Sequence, residues 1–292
     1  MRSRVLSASE KMKKVVYFDT NVFDHIHKGI GVTEADWLAL RSAVKNGRIS
    51  ILLSVLNLEE ALCALEQSPT QAIAELRLTL ELVEKGRLVK PPSMLLCDDI
   101  RCYAQGDALL GPFITLDPAI QSNIRALVNP DQKDIDDLRL IIKETQNQKK
   151  DFVVGMRQAN AKVLPVAKEF LRNHQGRPPD WQDYWERLAV RFAEGFAEGQ
   201  GLLDACRNRG IKGLLGVRSV RMAVGASVSL AYAETFEKRT PKMGDSRDMQ
   251  HAVLATAADA FVTHDHGLAR LLDRIPMDSF QVLDLRALLQ GV

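Results

Sequence analysis

Aromatic residues are scarce in this chain. Phe, Trp and Tyr together make up 6% of its 292 residues, too few for a protein whose main work is stacking bases on exposed rings. Cysteine is sparser still. Cys63, Cys97, Cys102 and Cys206 form no CxxC pair and lie among apolar or helical patterns, which excludes a disulfide scaffold and suits reduced thiols in the cytoplasm. No apolar run reaches the roughly 18 uncharged residues that a membrane span needs. The basic stretch Met1 to Lys14 is followed by no apolar signal segment. The expectation is a soluble, cytoplasmic protein with no membrane partner. An excess of one charge sign is lacking too: the net charge is +2. Basic residues number 15 against 16 acidic in 1–132, 17 against 12 in 133–221, and 7 against 9 in 222–292. Such a modest central excess is more often solvated helix surface than a nucleic-acid footprint.

What the chain does have is 46% apolar and 26% charged residues, enough to bury a core over one large domain or two ordinary ones. The run Lys14-Val-Val-Tyr-Phe-Asp19 is short, β-branched and aromatic, and reads as a buried strand. A helix follows to about Lys28, stopped by Gly29 and Gly31. Another opens at an acidic capping box, Thr33 to Asp36, and stops at Gly47. Ile49 to Leu53 is a second strand, succeeded by a helix from Asn57 to Leu65. A longer helix from Pro69 to Lys85 and a short strand Arg87 to Val89 complete a βαβαβ pattern.

From about 116 to 239 the pattern turns helical with no clear strand. It is punctuated at Asn129-Pro130, Pro165, Gly176 to Pro179 and Asn208 to Gly210. Val217 to Tyr232 looks amphipathic but short and interrupted by arginines, which favours core packing over membrane contact. After Pro241 the alternation resumes. A helix capped by Asp245 or Ser246 leads to a strand Ala260 to Thr263, a helix Leu268 to Leu272 and a last strand Phe280 to Leu283. Strands alternating with helices imply a parallel sheet covered on both faces.

In open parallel sheets ligands bind beyond the carboxyl ends of the strands. Asp19 and Asp265 each follow an apolar strand, Glu60 lies early in the helix after the second strand, and Asp248 begins a helix. Any one of them could be a helix N-cap. Four carboxylates in one crevice would repel and raise each other's pKa unless a cation neutralised them, and hard oxygen ligands suit Mg2+ or Mn2+. Thr20, Asn21, Ser54 and Thr263 place hydroxyls or amides beside these acids, where they would orient carboxylates or cap helices. Asp245, three residues before Asp248, is either an additional ligand or a cap. His251, at i+3 from Asp248, is either its brace or a buried structural histidine.

The segments Val15-Val-Tyr-Phe-Asp19-Thr-Asn-Val-Phe23, Ser54-Val-Leu-Asn-Leu-Glu-Glu60, and Asp248-Met-Gln-His251 through Val262-Thr-His-Asp265 resemble the PIN-domain nucleases in order and spacing. The likeness covers residues 14–65 and 243–283, about a third of the chain. It implies a three-layer α/β/α sandwich with a central parallel sheet, built from 14–115 and 240–292 and interrupted by an all-helical insertion at 116–239. It also implies an acidic Mg2+ or Mn2+ site of Asp19, Glu60, Asp248 and Asp265, and hydrolysis of RNA to 5′-phosphate and 3′-hydroxyl ends, with DNA as the other substrate class. Of the adjacent Glu59 and Glu60, Glu60 stands where the family has its glutamate. Small family members often pair, so a homodimer is an expectation, as is a protein inhibitor if the chain is toxin-like. The rival readings are a PIN-like binding module that cuts nothing, an HD-type phosphohydrolase suggested by His264-Asp265, and a zinc site from His25, His27 and His266. The last two lack the further ligands or spacing that they need.

Overall fold

The computed structural model of this protein describes residues 13–64, 68–84, 87–116, 177–240, 242 and 244–291, with isolated positions between 118 and 172. Leu65, Lys85, Gly86, Asn129-Pro130, Pro165 and Pro241, which carried boundary readings, lie outside the described residues.

Four parallel strands form the central sheet in the order β2 (Ile49–Leu52), β1 (Lys14–Phe18), β5 (Ala260–Val262), β6 (Gln281–Leu283). Each is connected through helix, as parallel pairing requires. Beyond β2, single bridges join Ile51 to Val83 and Ser54 to Val89, and the Val89 amide donates to the Leu53 carbonyl at 2.9 Å. The short strand β3 (Arg87–Val89) then pairs antiparallel with β4 (Phe113–Thr115), a strand that the sequence pattern did not announce. Three residues between Pro112 and a helical-looking stretch carry too little periodicity to register.

The alternation of β1 decides which helices cover which face. Val16 and Phe18 point into a core shared with α1 (Thr20–Lys28), α2 (Glu34–Lys45), α3 (Val55–Cys63), α4 (Pro69–Leu82) and, from the far end of the chain, α12 (Leu285–Gln290). Tyr17 points the other way. It joins Leu52 and Phe261 beneath α9 (Arg218–Phe236), α10 (Asp245–Ala255) and α11 (His266–Leu272). Helices on both faces of a mostly parallel sheet make an arrangement compatible with a three-layer α/β/α sandwich. Every residue of β2 and β5 is buried, as expected when both faces are covered.

Local signals in the sequence account for the helix ends. Gly29 ends α1 in the left-handed region at φ 66°, and Thr33 with Asp36 forms a reciprocal capping box at the start of α2. Helix α4 ends at Leu82 rather than Lys85, because Val83 turns extended to bridge Ile51. Helix α10 is capped by Gly244, not by Asp245 or Ser246.

A third core joins α5 (Pro92–Gln105), α6 (Trp181–Gly199), α7 (Leu203–Arg209), α8 (Ile211–Leu214) and α9. Helix α9, read from the sequence as part of the helical insertion, faces both ways. Val220, Val224 and Val228 belong to this helical core, whereas Met222 and Ala226 pack beneath the sheet with Tyr17 and Phe261. All four cysteines are free. Among the described residues no helix is long and apolar enough to cross a membrane.

Candidate metal centre

Because the strands are parallel, the carboxyl ends of β1, β2 and β5 open on the same side. The pairing Phe18 to Val262 sets Asp19 beside Thr263, and the pairing Tyr17 to Leu52 brings Ser54 up to the Tyr17 ring. Asp19 is 6% exposed. It stands at the N-cap position of α1, but its carboxylate makes no capping bond to that helix. Instead Oδ2 accepts from Thr263 Oγ1 at 2.8 Å and from Asn21 Nδ2 at 2.6 Å. Asn21 is held in turn by its oxygen, which accepts from the His264 amide at 3.1 Å. Asn21 and Thr263 therefore orient Asp19. Thr20 accepts from Asn57 Nδ2 at 3.4 Å, and Ser54 caps α3 while meeting the Tyr17 hydroxyl at 2.8 Å.

Glu60 and Glu59 part company on α3, as neighbours about 100° apart must. Glu59 turns to Arg247 at 2.8 Å. Glu60 reaches His251 Nε2 at 2.9 Å. His251 is 1% exposed, lies 3.8 Å from Asp19 Oδ1 through the same Nε2, and meets the Tyr17 hydroxyl through Nδ1 at 2.8 Å. Asp19, Glu60 and His251 thus each offer a ligand atom, all within 4.8 Å of one another. Two carboxylate oxygens and an imidazole nitrogen at that spacing are a donor set that fits a divalent cation, and the group could hold one.

The tight group is therefore not the four acids read from the sequence. His251 stands inside it instead of bracing Asp248 from outside. Asp248 and Asp265 lie next to it. Asp265 behaves as a helix cap: its Oδ1 accepts from the amides of Gly267 and Leu268, at 2.6 and 2.9 Å, at the start of α11. Asp245, considered as an additional ligand, has both oxygens engaged. Arg239 grips them at 2.5 and 2.8 Å and the Lys242 amide adds a bond at 2.7 Å, so Asp245 anchors α10.

Electrostatics give the site its character. Burial pushes the Asp248 carboxyl up to about 7, and the charges of Asp19 and Asp265 push the same way against His251. Burial also raises Asp19; His251 and the Thr263 hydrogen bond resist, and Glu60 adds to the rise. For His251 burial alone would lower the pKa. The Glu60 hydrogen bond and the charges of Asp19, Glu60 and Asp248 outweigh it, so the ring is held above its ordinary value. Tyr17 is raised well above a normal phenol, first by burial and then by the nearby carboxylates against its bond to Ser54, so it stays a neutral hydroxyl.

At the rim, His25 of α1 stacks on His264 with ring centroids 4.7 Å apart, and burial and His25 together lower the pKa of His264. Tyr17, Asn57 and Arg247 are the participants that sequence reasoning did not assign to the site. The signal for Tyr17 was present in the alternation of β1, which sets it on the face opposite Val16 and Phe18. Nothing in the order of residues told which helix covers that face.

Comparison of the chain with family models, with curated proteins and with solved structures finds no match.

Proposed function

We propose that this protein is a divalent-metal-dependent nuclease that hydrolyses phosphodiester bonds, with RNA as the expected substrate and DNA as the other substrate class. The observation that carries the reading is the grouping of ligand atoms from Asp19, Glu60 and His251 within 4.8 Å of one another at the strand ends. His251 supplies at most one positive charge against the carboxylates of Asp19 and Glu60, with Asp248 beside them. A doubly charged ion held by Asp19, Glu60 and Nε2 of His251 would offset that excess, and the PIN-like motifs that carry Asp19, Glu60 and Asp248 support the same assignment.

A bound ion of this kind supplies a water of lowered pKa and neutralises charge on the phosphoryl oxygens. The chain's own part is positional. Thr263 and Asn21 fix the Asp19 carboxylate, and Arg247 draws Glu59 aside so that Glu60 alone faces inward. Asp248 and Asp265 keep the potential at the strand ends negative, so a polyanion gains access only when cation charge accompanies it. In the balanced reaction water adds to phosphorus, the P–O3′ bond breaks, and the products are a 5′-phosphate and a 3′-hydroxyl. A protein inhibitor and self-pairing belong to the same family-based reading.

One feature favours a second reading. The 2.9 Å bond between His251 and Glu60 satisfies both groups without a metal, as a binding module that cuts nothing would need. Cleavage assays on RNA and DNA panels with and without Mn2+ separate the two. The nuclease reading expects Mn2+-dependent cleavage that Asp19→Asn abolishes. Cleavage by the variant at the wild-type rate rejects the site, and no cleavage with no Mn2+ effect on melting temperature leaves the binding module.

A further inference from the structure

The proton of each group in the line from Asn57 to His251 can be placed by elimination. Asn57 donates through Nδ2 to the Phe18 carbonyl at 3.0 Å, so its amide oxygen is the atom that faces Ser54. That oxygen lies 2.8 Å from Ser54 Oγ, a separation that two oxygens tolerate only with a hydrogen between them, and serine alone has one to give. Ser54 Oγ has then spent its only proton. It accepts from the Asn57 backbone amide at 3.2 Å and, at 2.8 Å, from Tyr17, whose hydroxyl must be the donor. Tyr17 has in turn no proton left for His251, 2.8 Å away, so the hydrogen on that contact belongs to Nδ1. Only Nε2 remains to face Glu60 and Asp19, at 2.9 and 3.8 Å; its bond to the Glu60 carboxylate takes a second ring proton, the one that an ion bound there would replace while Nδ1–H stays.

Resting on the metal-centre reading above, we propose that Tyr17 is a positioning residue that locks His251 as the Nδ1–H tautomer, so that Nε2 joins Asp19 and Glu60 as a nitrogen donor and the site prefers Mn2+ and Co2+ to Mg2+. The chemistry is direct. Imidazole suits first-row transition ions, whereas Mg2+ favours an all-oxygen octahedron and keeps its water. A metal-binding histidine needs its other nitrogen engaged by an acceptor to fix ring and tautomer, and an outer partner of this kind typically matters 10- to 100-fold in affinity. Here the acceptor is a phenol oxygen that is itself oriented by a serine and an asparagine, all four groups being buried.

The test uses the full chain. Calorimetric titration of wild type with Mg2+, Mn2+ and Co2+ is expected to give affinities rising in that order, with Mn2+ about tenfold or more tighter than Mg2+. Tyr17→Phe keeps the ring and loses only the oxygen. It is expected to weaken Mn2+ and Co2+ by about tenfold or more while changing Mg2+ less than about threefold. Equal losses for all three ions, or none, overturn the proposal, since a merely structural tyrosine would act on all alike. Imidazole 15N shifts of metal-free wild type, at a pH where the ring is neutral and with His251→Gln for assignment, should show Nδ1 protonated and Nε2 bare. The opposite tautomer overturns the proposal even if Tyr17→Phe fails to fold. Ion binding with the wrong tautomer rejects this inference alone, whereas no binding of any ion by wild type rejects the metal centre as well.

Discussion

Asp19 and Asp265 occupy equivalent places, each shortly after a parallel strand and before a helix, yet their carboxylates do different work. Asp265 caps α11 through two backbone amides; Asp19 makes no capping bond and is held by Asn21 and Thr263. Asp265→Ala is therefore expected to lower stability by about 1 kcal/mol, a typical N-cap loss, as read by denaturant unfolding. Asp19→Asn keeps an acceptor oxygen and should leave the unfolding midpoint nearly unchanged, but should abolish both RNA cleavage and the rise in melting temperature with Mn2+. A variant that still melts higher in Mn2+ would place the ion elsewhere. At this scale the sequence disclosed which carboxylates crowd the strand ends, because Asp, Asn and Thr at those positions are visible in order. It did not disclose that His251 stands among them. A histidine three residues after Asp248 reads equally as brace or core, and its role depends on Tyr17 and Glu60, which are 234 and 191 residues away.

Helix α10 shows how an element can be aimed. Its first turn is pinned by the bidentate Arg239 to Asp245 pair and by Arg247 reaching Glu59, so Asp248 and His251 turn toward the sheet. The Asp245 side chain is only 4% exposed, and removing one partner of a buried pair leaves a charge without compensation. Arg239→Ala is expected to cost about 3 kcal/mol, the low end for such a pair because the Lys242 amide still serves Asp245. Unfolding at the wild-type midpoint would contradict that role. The helices were legible wherever a cap announced them, as at Thr33 and Gly29. The start of α10 was not, because Gly244 took the cap position and freed Asp245 for an ion pair 6 residues back in the chain. Strand β4 escaped for a different reason: its partner β3 is joined to it through a 14-residue helix, so no hairpin turn marks the pair.

The whole molecule carries several carboxyls raised by burial, and this sets the sign of its pH dependence. Asp248, Glu75 and Glu234 are each pushed to about 7, and the ring of His251 is held above its ordinary value. Each such group binds more protons folded than unfolded between its unfolded and folded pKa, so its contribution is full below the unfolded value and is lost as pH rises through the folded one. Lowered carboxyls such as Glu84, where the Ser50 and Arg87 bonds outweigh burial, oppose this only in part. The metal-free protein is therefore expected to be more stable at pH 5 than at pH 8, with Asp248 alone responsible for up to about 3 kcal/mol of that difference. Denaturant midpoints in a chelator across that range read the slope directly, and a rise with pH would contradict it. Mn2+ competes with those protons, so its stabilising effect should grow over the same interval.

At this scale the parallel sheet was legible, because β1, β2 and β5 are short apolar runs each ending in polar residues. The double role of α9 was not. A helix buried almost all round, with Met222 and Ala226 under the sheet and Val220, Val224 and Val228 in the helical core, carries no one-sided stripe to say which body it serves.

The central claim is that Asp19, Glu60 and His251 jointly hold a divalent cation. A crystal grown with Mn2+ and measured at the manganese edge addresses it most directly. The account expects one strong anomalous peak within bonding distance of an Asp19 oxygen, a Glu60 oxygen and Nε2 of His251. A protein crystallised in millimolar Mn2+ with no peak there, and with His251 bonded to Glu60 instead, would contradict it.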